Sequence, residues 1–192
     1  MSDFKSSPSS VSGDLTVDTE TLYVDSTNNR VGIGTTSPDY TLEVANPSGA
    51  GMYTIIASDT TAMAAGVGGG ITFRGVYNAG TSLTEFATIR AAKSNGTVTN
   101  YDADLVFLTR ANGSGDSTEH MRIDSSGNVG IGTASPNANA ILDLTSTTKP
   151  FMPPRMTEAE RDAVSDPTAG MVIYNSDTNV LNFHNGSAWG AV

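Results

Sequence analysis

Cysteine is absent from this chain, which excludes disulfides and thiolate-held structural zinc and leaves the redox compartment undetermined. Histidine occurs only at His120 and His184, in different segments. Neither stands beside a candidate nucleophile, and no convergent acid pair accompanies them. Basic residues are scarce: 10 Lys and Arg face 20 Asp and Glu, for a net charge of −10. That balance argues against nucleic acid and anionic membrane surfaces, which call for a basic footprint. Long apolar runs are missing as well. Nothing approaches the roughly 20 residues of a membrane span, and the first residues lack the basic-then-apolar plan of a signal peptide. The expectation is a soluble chain, without membrane insertion, that travels without classical secretion. Charged residues of both signs make up 16% where about 25% is usual; Gly, Ser, Thr and Asn fill the space. A lone chain with so few large side chains would struggle to offset the entropy of ordering itself. Partner chains are the usual remedy.

What the chain does have is a phrase used twice. Val31-Gly32-Ile33-Gly34-Thr35-Thr36-Ser37-Pro38 returns as Val129-Gly130-Ile131-Gly132-Thr133-Ala134-Ser135-Pro136. The echo extends upstream, from Leu22-Tyr23-Val24-Asp25-Ser26 to Met121-Arg122-Ile123-Asp124-Ser125, and downstream, from Leu42-Glu43-Val44 to Leu142-Asp143-Leu144. A copied unit constrains architecture before any local reading does. Each copy reads as strand, tight turn, short strand, loop and strand. Asn28-Asn29 and Gly127-Asn128 supply the positive φ that hairpin turns need. Within Val-Gly-Ile-Gly the glycines share one face, so another backbone can approach closely there. Two such collars spaced by a larger block suggest a rod-like body.

Five segments follow. Residues 1–21 are Ser-rich and cannot form a core of their own, yet Phe4, Val11, Leu15 and Val17 give them apolar surface to order in a partner's groove; they read as an attachment arm. Residues 22–44 are the first collar. Residues 45–120 carry strand patterns at 54–57, 70–74, 83–92 and 104–109, separated by Asn-Gly and Gly-Ser turns; they read as a β-sandwich or jelly-roll-like domain. Leu105-Val106-Phe107-Leu108 is apolar on both faces and should be its most buried strand. Residues 121–148 are the second collar. Residues 149–192 open on Pro150, Pro153 and Pro154, then place a capping box at Thr157 and Glu160. A short helix is expected from Thr157 to about Ser165, ending before Asp166-Pro167. A hairpin follows, Met171–Tyr174 with Val180–Phe183, and then Trp189, the chain's one tryptophan.

No enzyme is legible here. Gly32-Ile33-Gly34 lacks the third glycine and the helix of a dinucleotide fingerprint, and Gly66-Val67-Gly68-Gly69-Gly70 lacks the Lys-Ser/Thr of a phosphate loop. The Asp and Asn residues form no calcium-loop ladder. No cofactor, metal or catalytic residue is expected.

Met121-Arg122-Ile123-Asp124-Ser125-Ser126-Gly127-Asn128-Val129-Gly130-Ile131-Gly132-Thr133 resembles a collar recurring in fibre, spike and decoration proteins on tailed-bacteriophage virions. Leu22–Val44, Gly69–Arg74 and Thr84–Arg110 are similar to the same group. The stretch from Pro153-Pro154-Arg155-Met156-Thr157 through Tyr174-Asn175 to Trp189 resembles a C-terminal module common among them. The resemblance implies an intertwined homotrimer on the virion surface; the bare face shared by Gly32 with Gly34 and by Gly130 with Gly132 is where the chains are expected to pack. It further implies a non-enzymatic role, a short tail fibre or spike adhering to a host-surface glycan or protein; the apolar Phe4, Val11, Leu15 and Val17 of the arm are expected to hold it to other virion proteins. A capsid decoration or cement protein is the alternative, and a glycan-processing enzyme a distant third.

Overall fold

The computed structural model describes residues 15–17, 21–45 and 55–192. They belong to two compact units, Met1–Ala62 with Val67–Ile71, and Met63–Gly66 with Thr72–Val192.

In the first unit β1 (Leu15–Val17), β2 (Leu22–Asp25), β3 (Arg30–Ile33) and β4 (Leu42–Val44) form one sheet in sequence order. The first three strands are antiparallel, and β4 lies parallel to β3. The β2–β3 turn is built by Asp25, whose carboxylate accepts the backbone N–H of Thr27 and Asn28 at 2.9 and 3.0 Å. Asn29 closes it at a φ of 55°; a short amide side chain tolerates the left-handed region better than most residues. A parallel neighbour requires a crossover over one face of the sheet, and residues 34–41 supply it. Arg30 donates from Nη1 to the Pro38 carbonyl at 2.7 Å, and Asp39 N–H donates to the Glu43 carboxylate at 2.7 Å. Pro38 is buried beneath.

The strand expected at 54–57 does not form across its described part. Thr54 lies outside the described residues, and Ile55–Ala57 are exposed without a paired strand. Branched residues favour a strand only where a partner and a packed face receive them.

β5 (Gly70–Val76), β6 (Leu83–Lys93), β7 (Ala103–Thr109), β8 (Thr118–Ile123), β9 (Val129–Ile131) and β10 (Leu142–Leu144) make one six-stranded sheet. Its order is β10-β9-β8-β7-β6-β5. The described residues are mainly β with one short helix, as the patterning predicts. Among the described residues, the central strands all belong to this one sheet. They pair edge to edge and continue into the second collar, because β8 serves both: it is antiparallel to β7 on one side and to β9 on the other. A bulge opposite Phe107 and Leu108 leaves His120 as the extra residue of β8.

The second collar repeats the first nearly bond for bond. Asp124 Oδ1 accepts from Ser126 and Asn128 N–H, both at 2.9 Å, and Gly127 takes a φ of 87°. Val129 N–H donates to the Ile141 carbonyl as Val31 does to Thr41, each at 2.9 Å. Asn137 N–H donates to Asp143 as Asp39 does to Glu43.

The last part of the chain forms a four-stranded sheet of β11 (Arg155–Met156), β12 (Val172–Asn175), β13 (Val180–His184) and β14 (Trp189–Ala191), in that order. Between β11 and β12 runs α1 (Glu158–Asp162). Thr157 caps it: its hydroxyl accepts from Glu160 N–H at 3.2 Å, and Glu160 accepts from Thr157 N–H at 2.8 Å. The helix is shorter than its pattern predicts. Val164 N–H already turns back to the Arg161 carbonyl, and Asp166 adopts a φ of 51° before Pro167. Beneath it lies a small polar core: Asn182 Oδ1 accepts from Arg161 Nη1 and Asn175 Nδ2 at 3.0 and 3.2 Å. Asn175 repeats the collar turn, accepting from Asp177 and Thr178 N–H.

Candidate functional site

Alternation along a strand sends neighbouring side chains to opposite faces, so register decides what each collar face carries. In the second unit Ile89, Phe107, Met121, Ile131 and Leu144 stand opposite one another across five strands. The next rung is Ala91, Leu105, Ile123, Val129 and Leu142. Every member of both rungs is apolar. The other face carries Arg90, Val106, Arg122, Gly130 and Asp143 in one rung.

That other face is closed by the chain itself. Arg122 pairs with Asp104 and grips Glu119 through two bonds of 2.8 and 2.9 Å. The Glu119 bonds, foremost, hold its guanidinium charged more firmly than usual. Asp104 is buried and also accepts from Ser94 Oγ and Ser125 N–H. The crossover 132–141 covers Gly130: a Cβ there would come within 2.9 Å of the Thr133 carbonyl and 3.3 Å of Pro136. Gly32 has the same relation to the Thr35 carbonyl. Gly34 and Gly132 follow at φ values of 74° and 77°, where any side chain is strained.

The glycines named from the sequence are thus gathered at the crossover turns, and the backbone approaching Gly32 and Gly130 belongs to their own chain. The apolar rungs lie on the opposite face. Sequence reading missed them, although Val-x-Ile and Leu-x-Leu in each repeat carry their alternation. Of the arm residues, Phe4 and Val11 lie outside the described residues, while Leu15 and Val17 stand in β1, paired with Val24 and Leu22. His120 is exposed at the bulge. His184 is buried, accepts from Gly186 N–H at Nδ1 and meets the Trp189 ring edge-on at 5.1 Å.

The apolar face remains open in the single chain. Ile131, Leu142 and Leu144 are 43%, 49% and 43% exposed, and Leu105 is 40% exposed. Ala92, Val106 and Ile173 are buried, as is Pro38. The strand expected to be most buried therefore divides: Val106 is wholly enclosed, whereas Leu105 faces out. The last sheet has a comparable face, where Val172, Leu181 and Phe183 are exposed. Beside them Arg155 stands 5.7 Å from the centre of the Tyr174 ring. A cleft of about 340 Å3 runs between Phe151, Met152 and Pro153 on one side and Tyr174 and Leu181 on the other.

Open apolar faces of this extent mark association surfaces. Fully burying one Leu, Ile, Val, Phe or Met side chain contributes about 1.5–3 kcal/mol. Association itself costs about 4–15 kcal/mol, so two or three such residues would leave little surplus. Two full rungs, most of whose members are already partly buried in the single chain, contribute on the order of that cost, which suits a surface built to meet other chains.

A family model described as a phage tail like trimerisation region matches residues 130–192. The matched stretch begins within β9 and takes in β10, the whole last sheet and the cleft beside it. No curated protein matches the chain. The match supports a trimeric, virion-associated protein of phage tail or fibre type.

Proposed function

We propose that the chain is a non-enzymatic structural protein of a phage virion: a homotrimer that forms a short tail fibre or spike and adheres to a host surface. The observation that carries this reading is the coincidence of two things in residues 130–192. They match a trimerisation region, and they hold Ile131, Leu142, Leu144, Val172, Leu181 and Phe183 exposed in one chain. Three chains that turn these faces toward one another gain the core each lacks. Attachment to other virion proteins falls to the N-terminal residues, and contact with a host glycan or protein to exposed loops of the second unit. The tail reading is preferred to capsid decoration because the matched model is of tail type.

Two measurements test it. Light scattering of the purified chain should give three times 19.8 kDa, and Ile131→Lys should shift that mass toward one chain. Counting copies in purified virions should give a small multiple of three. A copy number that scales with the capsid subunits would establish decoration instead, and a stable folded monomer would overturn the architecture.

A further inference from the structure

The first collar lies wholly outside residues 130–192, yet it has the same open face. Val24, Val31 and Leu42 form one rung by register, as Ile123, Val129 and Leu142 do in the second collar. Ile33 and Val44 stand opposite one another as Ile131 and Leu144 do. Ile33 is 41% and Leu42 is 60% exposed. The reverse face is closed from within by the crossover, through Gly32, Arg30, Pro38 and Glu43. Among the described residues, the apolar side is the face of this sheet that stays open to a partner.

We infer that the first collar is a second self-association station, where three copies of the chain meet through Val24, Val31, Ile33, Leu42 and Val44. The inference rests on the trimeric reading of residues 130–192 and extends it to a segment that the matched model does not cover. Three reasons make other copies of the chain the occupant. The surface is the same, strand for strand, as that of the second collar, whose Ile131, Leu142 and Leu144 lie within the trimerisation region. Chains joined at residues 130–192 also hold three first collars at an effective concentration on the order of millimolar, so no foreign partner is needed. Finally, the described strands of the first collar form one four-stranded sheet that encloses little apolar surface of its own. Stacking three of them apolar face to apolar face supplies a core.

The absence of cysteine gives a clean test in the full-length chain. Leu42→Cys and Leu142→Cys occupy equivalent positions in the two collars, and Thr36→Cys sits exposed on the crossover. Each trimer, verified by mass, is treated with a water-soluble maleimide. Both Leu→Cys variants should react about tenfold or more slowly than Thr36→Cys, because a thiol in a packed interface must await local opening. Ile33→Cys is run beside Leu42→Cys so that a packing defect at one position does not decide the result. Fast labelling at both Leu42→Cys and Ile33→Cys, with Leu142→Cys still protected in a trimer, would overturn the second station and leave the trimeric reading standing. Fast labelling at Leu142→Cys together with the mass of one chain would overturn both.

Discussion

The carbonyl oxygen of Thr133 lies 2.9 Å from where a Cβ on Gly130 would stand. The crossover is thus pressed against the sheet at a residue with no side chain, and the contact is made inside a single chain. Gly130→Val should destabilise the protomer by about 1–3 kcal/mol, as overpacking does when backbone must move. Calorimetry should show a lower melting temperature with the parent's mass retained below the transition. A variant that melts like the parent but sediments as one chain would place the tight contact between chains instead.

Arg122 is the counterion of a buried carboxylate. Replacing it with Met leaves Asp104 enclosed without its charge partner, while Glu119 can turn to water. Breaking a buried pair from one side costs about 3–5 kcal/mol, and the partial exposure of Arg122 puts the loss near the lower end. Asp104→Asn in the Arg122→Met background should recover part of that loss, measured by denaturant unfolding. Equal stability of the single and double variants would mean that Asp104 is not held by charge.

Acid should loosen the second collar through Asp124. Bonds from the Asn128 backbone foremost, with its side chain and Ser126 and Gly127 N–H, hold this carboxyl below its ordinary value of 3.8. A depressed folded pKa contributes stability above the unfolded value, and that contribution disappears as pH falls through the folded one. Asp124→Asn keeps an acceptor oxygen for the turn but does not titrate. Its melting temperature should therefore fall less than the parent's below pH 3.8, and parallel acid profiles would rule Asp124 out as the group responsible.

Thr157 caps α1, and Glu160 returns the bond. Thr157→Ala should cost about 1 kcal/mol, whereas Thr157→Ser should cost much less because the acceptor oxygen survives. Urea unfolding followed by Trp189 fluorescence reads the sheet beneath. No difference between the two variants would show that the cap contributes nothing there.

Leu15 and Val17 belong to β1, so the attachment reading of the N-terminal residues is best tested short of that strand. Deleting residues 2–13 removes Phe4 and Val11 and spares β1. The truncated chain should keep the parent's mass and nearly its melting temperature, yet fail to join virions when it replaces the full-length chain. Normal incorporation would move the anchor elsewhere in the chain.

The repeated phrase determined much of this protein from sequence alone. Two hairpin collars, their Asx and glycine turns, the capped helix and the closing hairpin all rest on local chemistry: side chains that bond their own backbone within a few residues, and glycines that permit a positive φ. The want of a core was legible too, from the thin supply of large apolar residues. Which face of each collar is open was not. Gly32 and Gly130 suggest close approach but cannot say whose backbone approaches. That depended on residues 34–41 and 132–141 crossing over the glycine side to place β4 and β10 in parallel register. Nor could the sequence decide that the central strands would run on into the second collar, since pairing between distant strands is set by register and packing that no single segment contains. Tertiary structure alone brought Ile89, Phe107, Met121, Ile131 and Leu144 into one rung, because only pairing across five strands converts separate alternations into a continuous apolar surface.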